Sequence, residues 1–127
     1  MVPISNVFLV CFIPSGAHFL LATQNIVREE ATLIDANGVR AVEFSMEAGS
    51  TGPLHTHSEV VEHCYCLSGT LIVDIEGQQS TTLAPGMRCS LPVGQAHRVR
   101  NGGEELCRFL VIQGVGRFDF KEVPKVS

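Results

Sequence analysis

At 127 residues the chain has room for one domain of ordinary size, which buries about two-thirds of the surface its unfolded chain exposes. Hydrophobic residues make up 45% of it but aromatics only 6%, with no Trp, so the core must be largely aliphatic, and its β-branched share favours strands. A net charge of −4 with no basic run excludes the electrostatic footprint of a nucleic-acid binder, Arg98 and Arg100 being merely alternate residues of one strand.

The first 22 residues, MVPISNVFLVCFIPSGAHFLLA, are apolar but do not read as a targeting segment. No Lys or Arg precedes Arg28, and Pro3 and Pro14 interrupt the hydrophobic stretch. Val7 to Ile13 is too short to span a bilayer. Residues 6–13 and 17–22 read instead as two strands about a Pro14-Ser15-Gly16 turn, and their nearly continuous apolar character calls for cover on both faces. A small barrel gives an outer strand little to lie against, so a homodimer through these strands is expected, with His18 a core or interface residue. Residues 24–30, QNIVREE, fit a helical turn or a polar loop. Strands follow over 31–35 and 39–48, joined by Asp35-Ala36-Asn37-Gly38, whose Asn-Gly is a strong hairpin signal. In the second, Val42, Phe44 and Met46 alternate with Glu43, Ser45 and Glu47, which makes one face core and the other wet.

Residues 49–69, GSTGPLHTHSEVVEHCYCLSG, organise the chain. His55 and His57, two apart on an extended segment, leave the same face and can share one ion. Ser58 to Val61 allow a bend before Glu62 opens a second strand and returns its carboxylate to the same point. Glu59, in the bend, reads as a solvated loop carboxylate, with an acid–base role beside the site as the alternative. His63 and Tyr65 take the opposite parity from Glu62 and point away. Cys64 and Cys66 share its inward parity, so with Phe44 and Met46 they are expected to line an apolar pocket for a small organic ligand with one chelating end. The five cysteines, odd in number and without zinc-finger spacing, fit a reduced, cytoplasmic protein. Cys64 and Cys66 are too close for an easy disulfide and read as small buried hydrophobes ahead of soft metal ligands. No Lys or Arg is clearly aimed inward, which disfavours a strongly anionic substrate; Arg40, Arg88 and Arg108 leave that possibility open.

Further strands are expected over 70–76, 80–83, 87–91, 97–100 and 106–113, separated by Gly77-Gln78, Pro85-Gly86, Pro92-Val93-Gly94 and Asn101-Gly102-Gly103. Short strands with turns between them imply an all-β sandwich or barrel. His97, three residues after its turn, supplies a fourth donor. Asn101 is expected to fix a turn by bonding to the backbone. The tail, FKEVPKVS, reads as loosely attached.

With Gly49, His55, His57, Glu62 and Gly69, then Gly86, Pro92, Gly94, His97 and Asn101, the chain resembles the cupin superfamily, whose motifs are G(X)5HXH(X)3-4E(X)6G and G(X)5PXG(X)2H(X)3N. The resemblance covers residues 49–101 closely and implies one all-β jelly-roll barrel, a double-stranded β-helix, over residues 1–127. Small cupins commonly dimerise through N-terminal strands of this kind. Three imidazoles and a carboxylate suit one divalent transition metal ion, Fe(II), Mn(II), Co(II), Ni(II), Cu(II) or Zn(II), and are poor for Ca(II). An octahedral ion on four protein ligands keeps two open positions. Resemblance to cupin enzymes implies a dioxygenase first and a lyase or isomerase second. A non-catalytic small-ligand module and a structural-metal barrel are the readings of a different class. No membrane or nucleic-acid partner is expected.

Overall fold

The computed structural model describes residues 7–9 and 25–124. Eleven strands run through them in chain order: β1 Val7–Leu9, β2 Ile26–Ala36, β3 Val39–Met46, β4 His55–Thr56, β5 Val61–Ser68, β6 Leu71–Ile75, β7 Thr81–Leu83, β8 Arg88–Leu91, β9 His97–Asn101, β10 Cys107–Gly114 and β11 Lys121–Glu122. They form a six-stranded sheet, β1-β2-β3-β10-β5-β8, and a five-stranded sheet, β11-β4-β9-β6-β7, with every pairing antiparallel. This is the all-β double-stranded β-helix of the cupin type. Among the described residues no helix is long and apolar enough to cross a membrane.

Period-two patterning sorts the faces. In β10, Cys107, Phe109, Val111 and Gln113 are buried while Arg108 is exposed and Leu110 and Ile112 are only half-buried. The inner residues of both sheets meet in one cluster, Val42, Phe44, Met46, Cys64, Cys66 and Phe109 from the first against Leu71, Val73, Leu83 and Val99 from the second. Phe44 and Phe109 are direct cross-strand partners and stack with ring centroids 5.3 Å apart, a pairing that contributes about 0.5–1.5 kcal/mol beyond the area it buries. The β2–β3 hairpin closes on Asn37 and Gly38, both at positive φ (55° and 77°), which is the backbone a two-residue turn of this hand requires.

Two expectations need correction. Residues 26–30 are not a helical turn or loop but the first half of β2, an eleven-residue strand that covers β3. Its alternation is disguised by bulges between Glu29 and Ala31 and between Thr32 and Ile34, each of which resets the faces. Its charges find partners on the neighbouring strands: Arg28 on Glu47, Glu29 on Arg40, and Ser45 donating to Glu30. The tail is also not loose over its first residues, since Lys121 and Glu122 pair with Thr56 and His55 as β11. β1 pairs with Ile26–Arg28, consistent with an N-terminal strand; the expected strand over 17–22, its turn and His18 lie outside the described residues.

Candidate metal centre

His55 lies in β4, His57 just beyond it, Glu62 at the start of β5 and His97 at the start of β9. His55 and His97 are direct partners across β4 and β9, which brings the two motifs into register at this one pair. All four side chains are buried, and one donor atom from each lies within 4.8 Å of every other. A turn hydrogen bond from Gly94 N to the His57 carbonyl (2.9 Å) ties the Pro92-Val93-Gly94 turn to the same place.

The ring nitrogens divide their work. Each Nδ1 lies against a backbone carbonyl: His55 against Pro53 at 2.8 Å, His97 against Gln95 at 2.9 Å and His57 against Asp119 at 2.5 Å. A protonated Nδ1 donating there leaves Nε2 as the lone-pair donor facing the centre, the arrangement by which outer partners fix the tautomer of a metal-ligating histidine. His57 Nε2 is 2.9 Å from Glu62 Oε1. His97 Nε2, though 3.3 Å from Glu62 Oε2, is buried without a hydrogen-bond partner, an orphan polar atom that an ion in the middle of the set would satisfy. These residues therefore fit a divalent transition metal ion in both geometry and donor chemistry.

Burial sets the charge states. It lowers the His55 pKa to about 4, with the neighbouring His97 adding to the effect and the Pro53 carbonyl opposing it. Burial also disfavours the charged form of His57, but hydrogen bonds to Glu62 and Asp119 outweigh it and raise its pKa. Glu62 is fully enclosed, yet its hydrogen bond with His57 and the closeness of the His97 ring overcome the desolvation cost and hold it well below the usual carboxylate range. The Cys64 thiol, 3.2 Å from Glu62 Oε2, is pushed well above its ordinary value by burial and then by that carboxylate. It is a hydrogen-bond donor beneath Glu62 and not a thiolate ligand.

A cavity of about 310 Å³ opens against His55, His57 and Glu62, with Phe44, Phe118 and Phe120 among its walls. Of the four side chains expected to line such a pocket, Phe44 does. Met46, Cys64 and Cys66 are fully buried in the core and form no part of its wall. They keep inward parity, but Met46, paired with Cys107, and Cys66 pack into the core away from this cavity, and Cys64 is buried beneath Glu62. Arg40 shares the inward parity of Val42, Phe44 and Met46 and lines the cavity, which corrects the expectation that no Arg is clearly aimed inward, while Arg88 reaches Tyr65 and Arg108 reaches Glu43 elsewhere on the surface. His63 bonds Ser90 on the outer face. Glu59 pairs with Arg117 at 3.5 Å and is half exposed (49%), a solvated loop carboxylate. Asn101 donates to the Met46 and Glu105 carbonyls and accepts from Gly103 N, fixing the turn as expected.

Three residues at the centre went unread in the sequence. Gln113 donates to Glu62 Oε1 at 2.7 Å; its signal was a polar residue on the apolar face of β10. Phe120 stacks on His55 (4.1 Å between centroids), and Phe118 lies 5.4 Å from the His57 ring. Both belong to a segment whose composition resembles an ordinary polar tail.

Residues 42–113 match the model of the Cupin domain family. Among solved structures, an uncharacterised conserved protein with a double-stranded β-helix domain from Klebsiella pneumoniae aligns with a TM-score of 0.68 at 21% identity, over 75% of this chain and 83% of that one. The polyketide cyclase RemF from Streptomyces resistomycificus aligns at 0.64 and 25% identity, over 80% of this chain and 72% of that one. Oxalate oxidase in complex with the substrate analogue glycolate aligns at 0.63 and 24% identity over 68% of this chain, which spans only 46% of that enzyme. No curated protein sequence matches. With more than half its length matched by the family model, and the barrel and its buried histidines and glutamate in the places the two motifs require, the chain belongs to the cupin domain family.

Proposed function

We propose that the protein is a metal-dependent enzyme acting on a small organic substrate with a chelating end, a dioxygenase-like oxidoreductase in the first instance. The observation that carries the reading is the convergence of four buried donors, one of them an orphan nitrogen, beside a cavity walled by phenylalanines. His55, His57, Glu62 and His97 would hold the ion. When bound, such an ion supplies Lewis acidity and, if redox-active, chemistry with O2.

The rest of the work falls to the chain. The Pro53, Gln95 and Asp119 carbonyls hold the three imidazoles in one tautomer and orientation. Gln113 fixes one carboxylate oxygen of Glu62 and Cys64 approaches the other. Phe118 and Phe120 cover His57 and His55 and exclude water from that side. The cavity is at the lower end of the roughly 300–1,000 Å³ typical of small-molecule sites, so the substrate is small.

A non-oxidative reading, lyase, isomerase or cyclase, draws support from the aromatic wall and from the likeness to a polyketide cyclase. Oxygen-electrode assays of iron- or manganese-loaded protein with chelating substrates separate the two, because only the oxidative reading requires O2 uptake in step with product. A fully loaded Co(II) protein whose spectrum ignores every small chelator would refute both in favour of a structural ion. The proposal includes a homodimer, supported by β1 at the edge of its sheet among the described residues and by exposed Leu33 and Ile34 on the adjoining strand.

A further inference from the structure

Three side chains on neighbouring strands form one row along the cavity. Arg40 in β3 pairs directly with Gln113 in β10, and Gln113 pairs with Glu62 in β5. Directly opposed residues leave the same face of a sheet, so the row starts at the metal centre and runs away from it. Hydrogen bonds follow the same path: Gln113 Nε2 donates to Glu62 Oε1 at 2.7 Å, and Arg40 Nη1 donates to Gln113 Oε1 at 3.3 Å. Arg40 Nη2 donates to Glu29 Oε2 at 3.3 Å, and Phe118 covers the guanidinium face, 4.4 Å from its ring centroid.

Both Arg40 bonds are long, beyond the roughly 2.7–2.9 Å at which a guanidinium grips an anionic oxygen. Glu29 and Gln113 each engage one of the five N–H donors that a guanidinium carries in its plane. Among the described residues, and apart from the histidines, Arg40 is the cationic side chain of the cavity wall, and Glu29 its anionic neighbour. A divalent ion and Arg40, set against Glu62 and Glu29, would leave one net positive charge at the site, which favours an anionic ligand.

We infer that Arg40 is a substrate-binding residue, and that the substrate is a small organic anion with a chelating group for the metal centre and a carboxylate for the Arg40 guanidinium, which exchanges its long bond to Gln113 for a short one to the ligand. This rests on the metal-dependent reading above. Phe118 packs against the guanidinium, and Gln113 sets the spacing between the two recognition points.

The test uses Co(II)-loaded protein and three probes sharing one chelating pair of hydroxyls: catechol, 3,4-dihydroxybenzoate and its methyl ester. Only the second carries the carboxylate. The visible spectrum is expected to respond to all three, with the acid binding about tenfold tighter or more, the factor that one charge-assisted hydrogen bond supplies. In Arg40→Met that advantage is expected to fall below about threefold while catechol affinity holds, and Arg40→Lys should recover part of it. The comparison of acid with ester in the unaltered protein needs no variant to fold. Equal affinity for acid and ester, or an undiminished preference for the acid in Arg40→Met, overturns the assignment of Arg40 and leaves the metal-dependent function standing. No response to any of the three in fully loaded protein overturns both.

Discussion

Replacing Gln113 with Met tests whether the residue missed in the sequence holds the site together. Met fills nearly the same volume on the buried face of β10, so no large cavity opens and the loss is that of hydrogen bonds. The bond from Gln113 Nε2 to Glu62 Oε1, at 2.7 Å and to an ionised acceptor, is of the class that contributes about 1.5–3 kcal/mol. The 3.3 Å bond from Arg40 adds little. An unfolding entropy of about 2.1 cal/mol/K per residue, over 127 residues, makes each kcal/mol about 4 °C, so the metal-free variant should melt about 6–11 °C lower. Circular dichroism is the probe of choice in a chain without Trp. Because Glu62 loses a partner that orients it, Co(II) affinity by competition titration should fall about 10–100-fold. Gln113→Glu, which sets a second carboxylate against Glu62, should be the more severe change at neutral pH. A Gln113→Met protein that melts within about 2 °C of the parent and keeps its Co(II) affinity would refute the reasoning.

Metal occupancy should depend on the four donors jointly: His57→Ala or His97→Ala is expected to lose most of the ion by elemental analysis, while Glu62→Gln keeps some with a changed spectrum. Asp74 offers a pH test away from the centre. The Arg100 hydrogen bond, followed by those from Ser80 and Arg98, holds its carboxyl well below the usual range against the opposing effect of burial. A depressed carboxylate pKa contributes stability that is present above the unfolded value and lost as pH falls below it. The stability difference between the parent and Asp74→Asn should therefore be flat from pH 7 to about 5 and shrink below about pH 4. Its size is only about 1 kcal/mol, because Arg98 and Arg100 remain 41% and 36% exposed to screening solvent. If the homodimer forms through the β1–β2 edge, Leu33→Asp with Ile34→Asp should lower the mass seen by light scattering from dimer to monomer; an unchanged dimer would move the interface elsewhere.

The fold was legible wherever one strand face is apolar and the other polar. β5, β6 and β10 follow a period of two, whereas in β3 Ala41 and Ser45 on the face expected to be wet are buried as well; glycines at positive φ mark turns, as at Gly69, where a Cβ would come within 2.8 Å of the Leu106 carbonyl. β2 was illegible for a physical reason: two bulges shift its alternation, and its carboxylates are satisfied by strands distant in sequence. The pocket was legible only in part. Parity tells which way Met46, Cys64 and Cys66 point but not whether packing leaves space in front of them, and all three are fully buried in the core.

The spacing of the histidines specifies less of the metal centre than it first implies. For His55 and His97 the orienting carbonyl is local, two residues back in each case, so the motif that supplies the donor also supplies its orientation. His57 differs. Its Nδ1 lies against the carbonyl of Asp119, 62 residues away, whose side chain in turn accepts from Ser58 N at 2.7 Å. The flanking phenylalanines lie over His55 and His57, and β11 then pairs with β4. The segment from Phe118 to Glu122 thus acts as a strap that orients one ligand, shields two and closes one side of the cavity. The first of those jobs rests on a backbone carbonyl, which any residue can supply, and this is why no side-chain pattern announced it. The donors of the site are written in its motifs, while its orientation is completed by a segment those motifs do not contain.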